Sequence, residues 1–238
     1  MIQFANKFFI DKWFSCNLNL IDALLFVKYK QFLGTETKVN KFFKQADFHT
    51  LLIDVRSDFF SNFKTTTRNE IRKSLNMGFF FKQHSDIEFS DFVAFYNDFA
   101  SVMGLAIQSL NSKYKDNIFT TQASYDDGTP LVMHSYLLDE KLGRTRLLHS
   151  ASNVLNQNLD RKIIGFANRF LHYKDMLFFA EQGYKTYDLG GYAYNSTDHK
   201  RQAINKFKDS FGGKLVYEPE FKSYPYFLAE KIYLHFKK

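Results

Sequence analysis

The chain has 238 residues, 45% hydrophobic and 24% charged, a balance that excludes wholesale disorder and a length that needs no covalent staples. Cys16 is the lone cysteine, which rules out an internal disulfide and points to a reducing, cytoplasmic setting. Lysine and arginine (32) exceed aspartate and glutamate (25) by 7, so the surface either carries ordinary solubility charge or attracts an anionic partner: nucleic acid, an acidic membrane surface or a phosphate-bearing small molecule.

The longest apolar stretch, LLFV at residues 24–27, is far short of the roughly 20 residues a membrane-spanning helix needs. Lys7, Asp11 and Lys12 interrupt the apolar N-terminal residues, so no signal-peptide core is expected there. Residues 50–56, TLLIDVR, alternate as a half-buried strand does. Thr67 and Glu70 form a capping box that predicts a helix over residues 68–77, stopped by Gly78. FFFKQ (79–83) reads as a strand, and Phe89, Phe92, Val93, Tyr96 and Phe99 fall at helical spacing before Gly104.

Three strands follow, NIFTTQASY, PLVMHSYLL and RTRLLHSAS, with turns at Asp126-Asp127-Gly128 and at residues 140–143. A long amphipathic helix is predicted over 161–182, with Ile163, Ile164, Ala167, Phe170, Leu171, Leu177 and Phe178 on its apolar side. YKTYDLGGY is a strand closed by a double glycine, and residues 198–210 form a helix with Ala203, Ile204, Phe207 and Phe211 on one face. KLVYEPEF reads as strand, and FLAEKIYLHF as strand or helix. An antiparallel meander feeding a helix and a further strand makes a mixed sheet with helices on its faces, an α+β layout.

Two side chains in the meander have the chemistry of a proton acceptor. Symmetric pairing about the 140–143 turn places residue i opposite 283 − i, so His134 faces His149, and one imidazole of such a pair is pushed towards general-base use. Ordinary hydrogen-bonded strand histidines are the competing reading. Asp188 faces the side of its strand opposite Tyr187 and Leu189, to receive an amine or to fix the Gly190-Gly191 turn through backbone amides. Cys16 has no local base and reads as a buried small side chain. No metal-ligand spacing, GxxxxGK loop or GxSxG elbow occurs.

YDLGGY (187–192), followed after a spacer by FKDSFGG (207–213) behind a long helix, resembles the Fem-type acyltransferases of the GNAT superfamily, and the basic run Arg68, Arg72, Lys73 before Gly78 adds to the likeness. That resemblance implies a GNAT-like mixed β-sheet flanked by helices over residues 106–238, with an N-terminal α/β half over 1–105. It implies a notch between parallel strands at 146–151 and 185–189 that holds a thioester, whose pyrophosphate meets Lys162, Gly165, Ala167 and Asn168 at the start of the long helix. Gly165 alternatively serves only close helix–sheet packing.

By the same resemblance, Gly190, Gly191, Tyr192, Lys208, Arg68 and Arg72 contact substrate, while His149, Asp188 and His134 are the catalytic candidates. The chain is shorter than members with two such domains, which points to compact N-acyltransferases: acyl-CoA as co-substrate, no bound cofactor, and the amino group of a nucleotide-linked, dTDP-type amino-deoxysugar of surface-polysaccharide synthesis as acceptor. Nucleic acid is not the partner this reading implies. A Fem-like transferase using aminoacyl-tRNA and a non-catalytic basic binding protein are the alternatives.

Overall fold

The computed structural model describes residues 1–5, 8–35, 38–109, 117–153 and 160–236; Lys7 lies outside them. In chain order the elements are β1 (Ile2–Ala5), β2 (Ile10–Trp13), β3 (Val27–Lys30), β4 (Phe43–Ala46), β5 (His49–Asp54), α1 (Thr65–Leu75), β6 (Phe80–Gln83) and α2 (Phe89–Met103). They continue with β7 (Ile118–Ser124), β8 (Pro130–Asp139), β9 (Arg144–Ser152), α3 (Arg161–Glu181), β10 (Thr186–Tyr192), α4 (His199–Asp209), β11 (Lys214–Tyr217), β12 (Glu220–Ser223) and α5 (Tyr224–Phe236). Among the described residues no helix is long and apolar enough to cross a membrane.

Two compact units form, and neither follows the 105/106 boundary expected from the sequence. One comprises Met1–Thr50, Gly191–Asn195 and Leu215–Lys238; the other comprises Leu51–Gly190 and Ser196–Lys214. The first is built on a sheet of order β1–β2–β3–β12–β4, in which β2 and β3 are parallel and the remaining neighbours antiparallel. Val27, Tyr29, Phe32, Phe43 and Phe221 make its core. The ambiguous C-terminal segment is helical, as α5.

The second unit holds the strand order β5–β10–β9–β8–β7–β6. Strands β6 to β9 are antiparallel to their neighbours, and β10 runs parallel to β9. Helix α2 covers one face, with Phe92, Val93, Tyr96 and Ala100 against Met133 and Ala151. Helix α3 covers the other, with Ala167, Phe170 and Leu171 against Phe79, Ala123 and Val132. Covered on both faces, β8 is buried along almost its whole length, which explains why it reads as a nearly unbroken apolar run.

Several local expectations are corrected. Helix α1 starts earlier than predicted: Lys64 is its N-cap, no side chain caps it, and Thr67 is buried inside it. On α4 the buried residue is Asn205, and Ile204 is 54% exposed, so its apolar face is narrower than Ala203, Ile204, Phe207 and Phe211 implied. Cys16 is exposed, not buried. The hairpin register 283 − i holds from Asp139↔Arg144 to Tyr136↔Leu147, and then Ser135 pairs with His149 and His134 with Ser150. Leu148 is the extra residue of a β-bulge, which bends the pairing and turns every later side chain of β9 over.

Candidate active site

The bulge separates the two histidines. His134 is fully buried beneath α3, with Nδ1 2.8 Å from Asp175 Oδ2 and Nε2 3.1 Å from Asn168 Oδ1. His149 lies on the α2 side, with Nδ1 2.8 Å from Ser135 Oγ and its ring edge-on to Tyr96 at 4.7 Å. The predicted facing pair therefore does not exist. A fully enclosed His134 is removed as a base acting on substrate.

What the sequence reading missed is the network that encloses it. Tyr136 Oη donates to Asp175 Oδ2 and lies 2.7 Å from Tyr187 Oη, which lies 2.8 Å from His172 Nδ1. One proton order satisfies the chain: His172 Nδ1–H to Tyr187, Tyr187 O–H to Tyr136, and Tyr136 O–H to Asp175, with His134 Nδ1–H also donating to Asp175. Burial, reinforced by Asp175, holds both phenols well above their usual range. Burial, helped by the charges of His134, Lys208 and Arg169, pushes the His172 imidazole well down, so it is neutral. The spacing 168, 172, 175 along α3 was the available signal: Asn168, His172 and Asp175 are polar side chains on one stripe of the helix, the last two buried.

A second polar cluster sits where β9 and β10 part. Their parallel ladder runs through Thr186↔Arg144, Tyr187↔Thr145 and Asp188↔Arg146, short of the strand ends at Ser152 of β9 and Tyr192 of β10. Arg144 and Arg146, two apart on β9, share a face. Arg144 grips Asp188 Oδ2 through Nη2 at 2.6 Å and Nε at 3.2 Å, and the backbone N–H of Gly190 donates to Asp188 Oδ1 at 2.8 Å. Both carboxylate oxygens of this fully buried aspartate therefore hold protein groups, the turn-fixing arrangement.

Gly190 has φ +75°, and a Cβ there would stand 2.8 Å from Arg146 Nη1 and 2.9 Å from the Leu147 carbonyl oxygen. Only glycine fits. Lys208, from α4, belongs to the same electrostatic cluster: burial and Arg146 pull its ammonium down to about 8, against the pull of Asp188. Three cationic side chains thus surround one carboxylate at the end of a parallel strand pair, a charge arrangement suited to phosphate or to a developing oxyanion.

The remaining predicted site residues are placed elsewhere. Lys162, Gly165, Ala167 and Asn168 already lie within α3 and form no loop. Asp160 caps the helix and accepts from the Lys162 amide at 2.9 Å; Ala167 is core, and Asn168 bonds His134. A carboxylate already occupies the first-turn amide that a pyrophosphate would use. Arg68 braces the start of α1 through the carbonyls of Ser61 and Phe63 and the Thr65 hydroxyl, and Arg72 bonds Asn69 and lies over Phe60. Gly191 and Tyr192 fall in the first unit, where Gly191 lies against the Phe48 ring.

No protein-family model matches the sequence, and no curated protein matches it. Solved structures share its fold. FemX aligns at a TM-score of 0.58 and 13% identity over 80% of this chain and 64% of its own. The C-terminal domain of a lysylphosphatidylglycerol synthetase from Agrobacterium fabrum gives 0.58 and 12% over 84% and 68%. L-PGS from Bacillus licheniformis gives 0.56 and 10% over the same shares. The chain therefore spans about two thirds of these structures, just under that for FemX, and its mixed sheet with flanking helices has a FemX-like fold.

Proposed function

We propose that this chain is an acyl-group transferase whose donor is an aminoacyl ester of tRNA, the aminoacyl group passing to an amine or hydroxyl beside Lys208. The observation that carries the reading is the cluster of Arg144, Arg146 and Lys208 around Asp188 at the parting of β9 and β10. FemX and lysylphosphatidylglycerol synthetase support it as fold relatives; the latter, by its name, makes a lysyl-bearing phospholipid. A net charge of +7 suits a polyanionic carrier.

In the step proposed, the acceptor attacks the ester carbonyl carbon and neutral Lys208 takes the proton it loses. The oxyanion is held by the arginine charges. The tetrahedral species then collapses, the carbon–oxygen bond to the ribose breaks, and Lys208 returns its proton to the departing ribose oxygen, so charge and protons balance.

An acyl-CoA donor with a nucleotide-linked amino sugar as acceptor is the second reading, favoured by the parallel pair that parts as a thioester notch would. The Asp160 cap at the start of α3 counts against its pyrophosphate seat. Mass spectrometry of small amine and amino-sugar acceptors, incubated with charged tRNA or with acyl-CoA, decides between them. Transfer from tRNA, with tRNA binding that falls steeply between 50 and 200 mM salt, is the expected result. Transfer from acyl-CoA alone overturns it.

A further inference from the structure

At the end of the β9–β10 pair away from its parting lies a cavity of about 400 Å³, lined by the 138–143 hairpin, the C-terminal end of α3 and the lead into β10. Its volume is that of a small-ligand site. Three phenylalanines furnish its wall: Phe119 stacks on Phe178 at 5.4 Å between ring centroids, Phe179 meets both edge-on at 5.5 and 5.4 Å, and Tyr184 stands edge-on to Phe179 at 5.7 Å. The rings hold one another in place, so a ligand meets a preformed aromatic surface rather than one it must order.

Glu140 is the one lining residue with a formal charge. It does not act alone on this end of the sheet. Both Glu140 and Asp139 oppose ionisation of the Tyr184 phenol, after burial, so two carboxylates place a negative field on the ring that closes the cavity. Lys141 and Lys185 are exposed neighbours in sequence and are not lining residues; Lys185 runs its methylenes against Gly143. Aromatic rings beside a carboxylate select a cation that carries an apolar body. The cavity lies on a different face from the cationic cluster: Phe179 packs near Tyr187, and strand alternation puts Asp188 on the other side.

We infer that this cavity is a binding site for a small organic ammonium with a flat or aliphatic body, distinct from the site at Asp188 and Lys208. The ammonium pairs with Glu140 while the body lies on Phe119, Phe178 and Tyr184. The inference stands independently of which acyl donor the chain uses, since none of these residues belongs to the cluster at the strand parting.

Titration calorimetry on the intact protein with three phenylethyl probes that differ in their charged or polar end tests it: 2-phenylethylammonium, 2-phenylethanol and 3-phenylpropanoate. The ammonium is expected to bind one to one, the alcohol about fivefold more weakly, and the carboxylate without saturation. Glu140→Gln, at an exposed position, should bring the ammonium down to the alcohol's affinity and leave the alcohol unchanged. Phe178→Ala should weaken both, with circular dichroism confirming the fold. Equal affinity for all three probes, no binding by any, or full ammonium affinity in Glu140→Gln overturns the inference.

Discussion

His134 and Asp175 meet at 2.8 Å, Nδ1 to Oδ2, across the interface between β8 and α3, with neither side chain exposed to solvent. Asp175 Oδ2 also accepts from Tyr136, which makes this oxygen the acceptor on which β8, α3 and, through Tyr187, β10 two strands away converge. Because the carboxylate faces two donors in a dry space, removing it strands both. Asp175→Ala is expected to destabilise the protein by about 3–5 kcal/mol, as loss of one partner of a buried charged pair does. Asp175→Asn, which keeps an acceptor oxygen, should cost about half of that or less. Urea denaturation of the three proteins measures it, and equal midpoints would show that the network contributes no stability.

His172 gives the same network a pH dependence. Its folded-state pKa is depressed by burial, whereas in the unfolded chain it titrates near 6.5. Below about pH 6.5 the unfolded chain therefore binds a proton that the folded chain refuses. Stability supplied by neutral His172 is fully present above that pH and declines as pH falls, by about 1.4 kcal/mol per unit. His172→Gln is expected to flatten the slope of unfolding free energy between pH 7 and 5 relative to the parent. A parent and variant with identical slopes would mean that the imidazole charges freely in the folded state.

The order of strands and helices in the second unit was legible because β7 to β10 and α2 to α4 carry strong periodicity, turn residues and glycine stops; Gly104, for instance, closes α2 in a left-handed conformation. The parallel neighbours β9 and β10 were expected from the resemblance to Fem-type acyltransferases. The pairing of His134 with His149 did not, because it depended on register, and one bulged residue at Leu148 carries no compositional mark. Asp175 was hidden for a different reason: a hydrophobic-stripe reading assigns a helical aspartate to solvent, and only its tertiary partners reveal why it is buried. The strands of the first unit are four residues each, too short for alternation to separate them from loops. Asp188 and Lys208 were found through the YDLGGY and FKDSFGG segments, but the two arginines beside them were not, although the alternation Arg144-Thr145-Arg146 puts both on one face.

Lys208 should set the alkaline side of catalysis. With its ammonium lowered to about 8 by burial and by Arg146, most molecules at pH 7 hold it charged and a tenfold larger neutral fraction becomes available as pH rises past 8. The rate under subsaturating acceptor is expected to climb with pH and level off above about 8. Lys208→Arg, which keeps the charge but cannot lose it, should lower the rate by about 10²-fold and abolish that climb. A rate that instead falls above pH 8 would identify the charged ammonium as the active form, acting on the carbonyl oxygen rather than on the acceptor's proton.

Gly190 joins the two halves of this site. Its left-handed backbone lets its N–H reach Asp188 Oδ1 while the strand passes within van der Waals reach of Arg146 and the Leu147 carbonyl. A methyl group there meets a backbone oxygen that has no rotamer by which to retreat, and it also strains the positive φ. Gly190→Ala is therefore expected to cost about 1–3 kcal/mol and to push β9 and β10 further apart, lowering the transfer rate beyond what the stability loss explains. Asp188→Asn separates the contributions. It leaves the backbone conformation available but removes the charge that Arg144 holds, so it should cost about 3–5 kcal/mol, as loss of one partner of a buried ion pair does, without straining Gly190. If Gly190→Ala matches the parent in denaturation midpoint and rate, the close approach of the two strands is not what orders the cluster, and the site must be held by Asp188 and Arg144 alone.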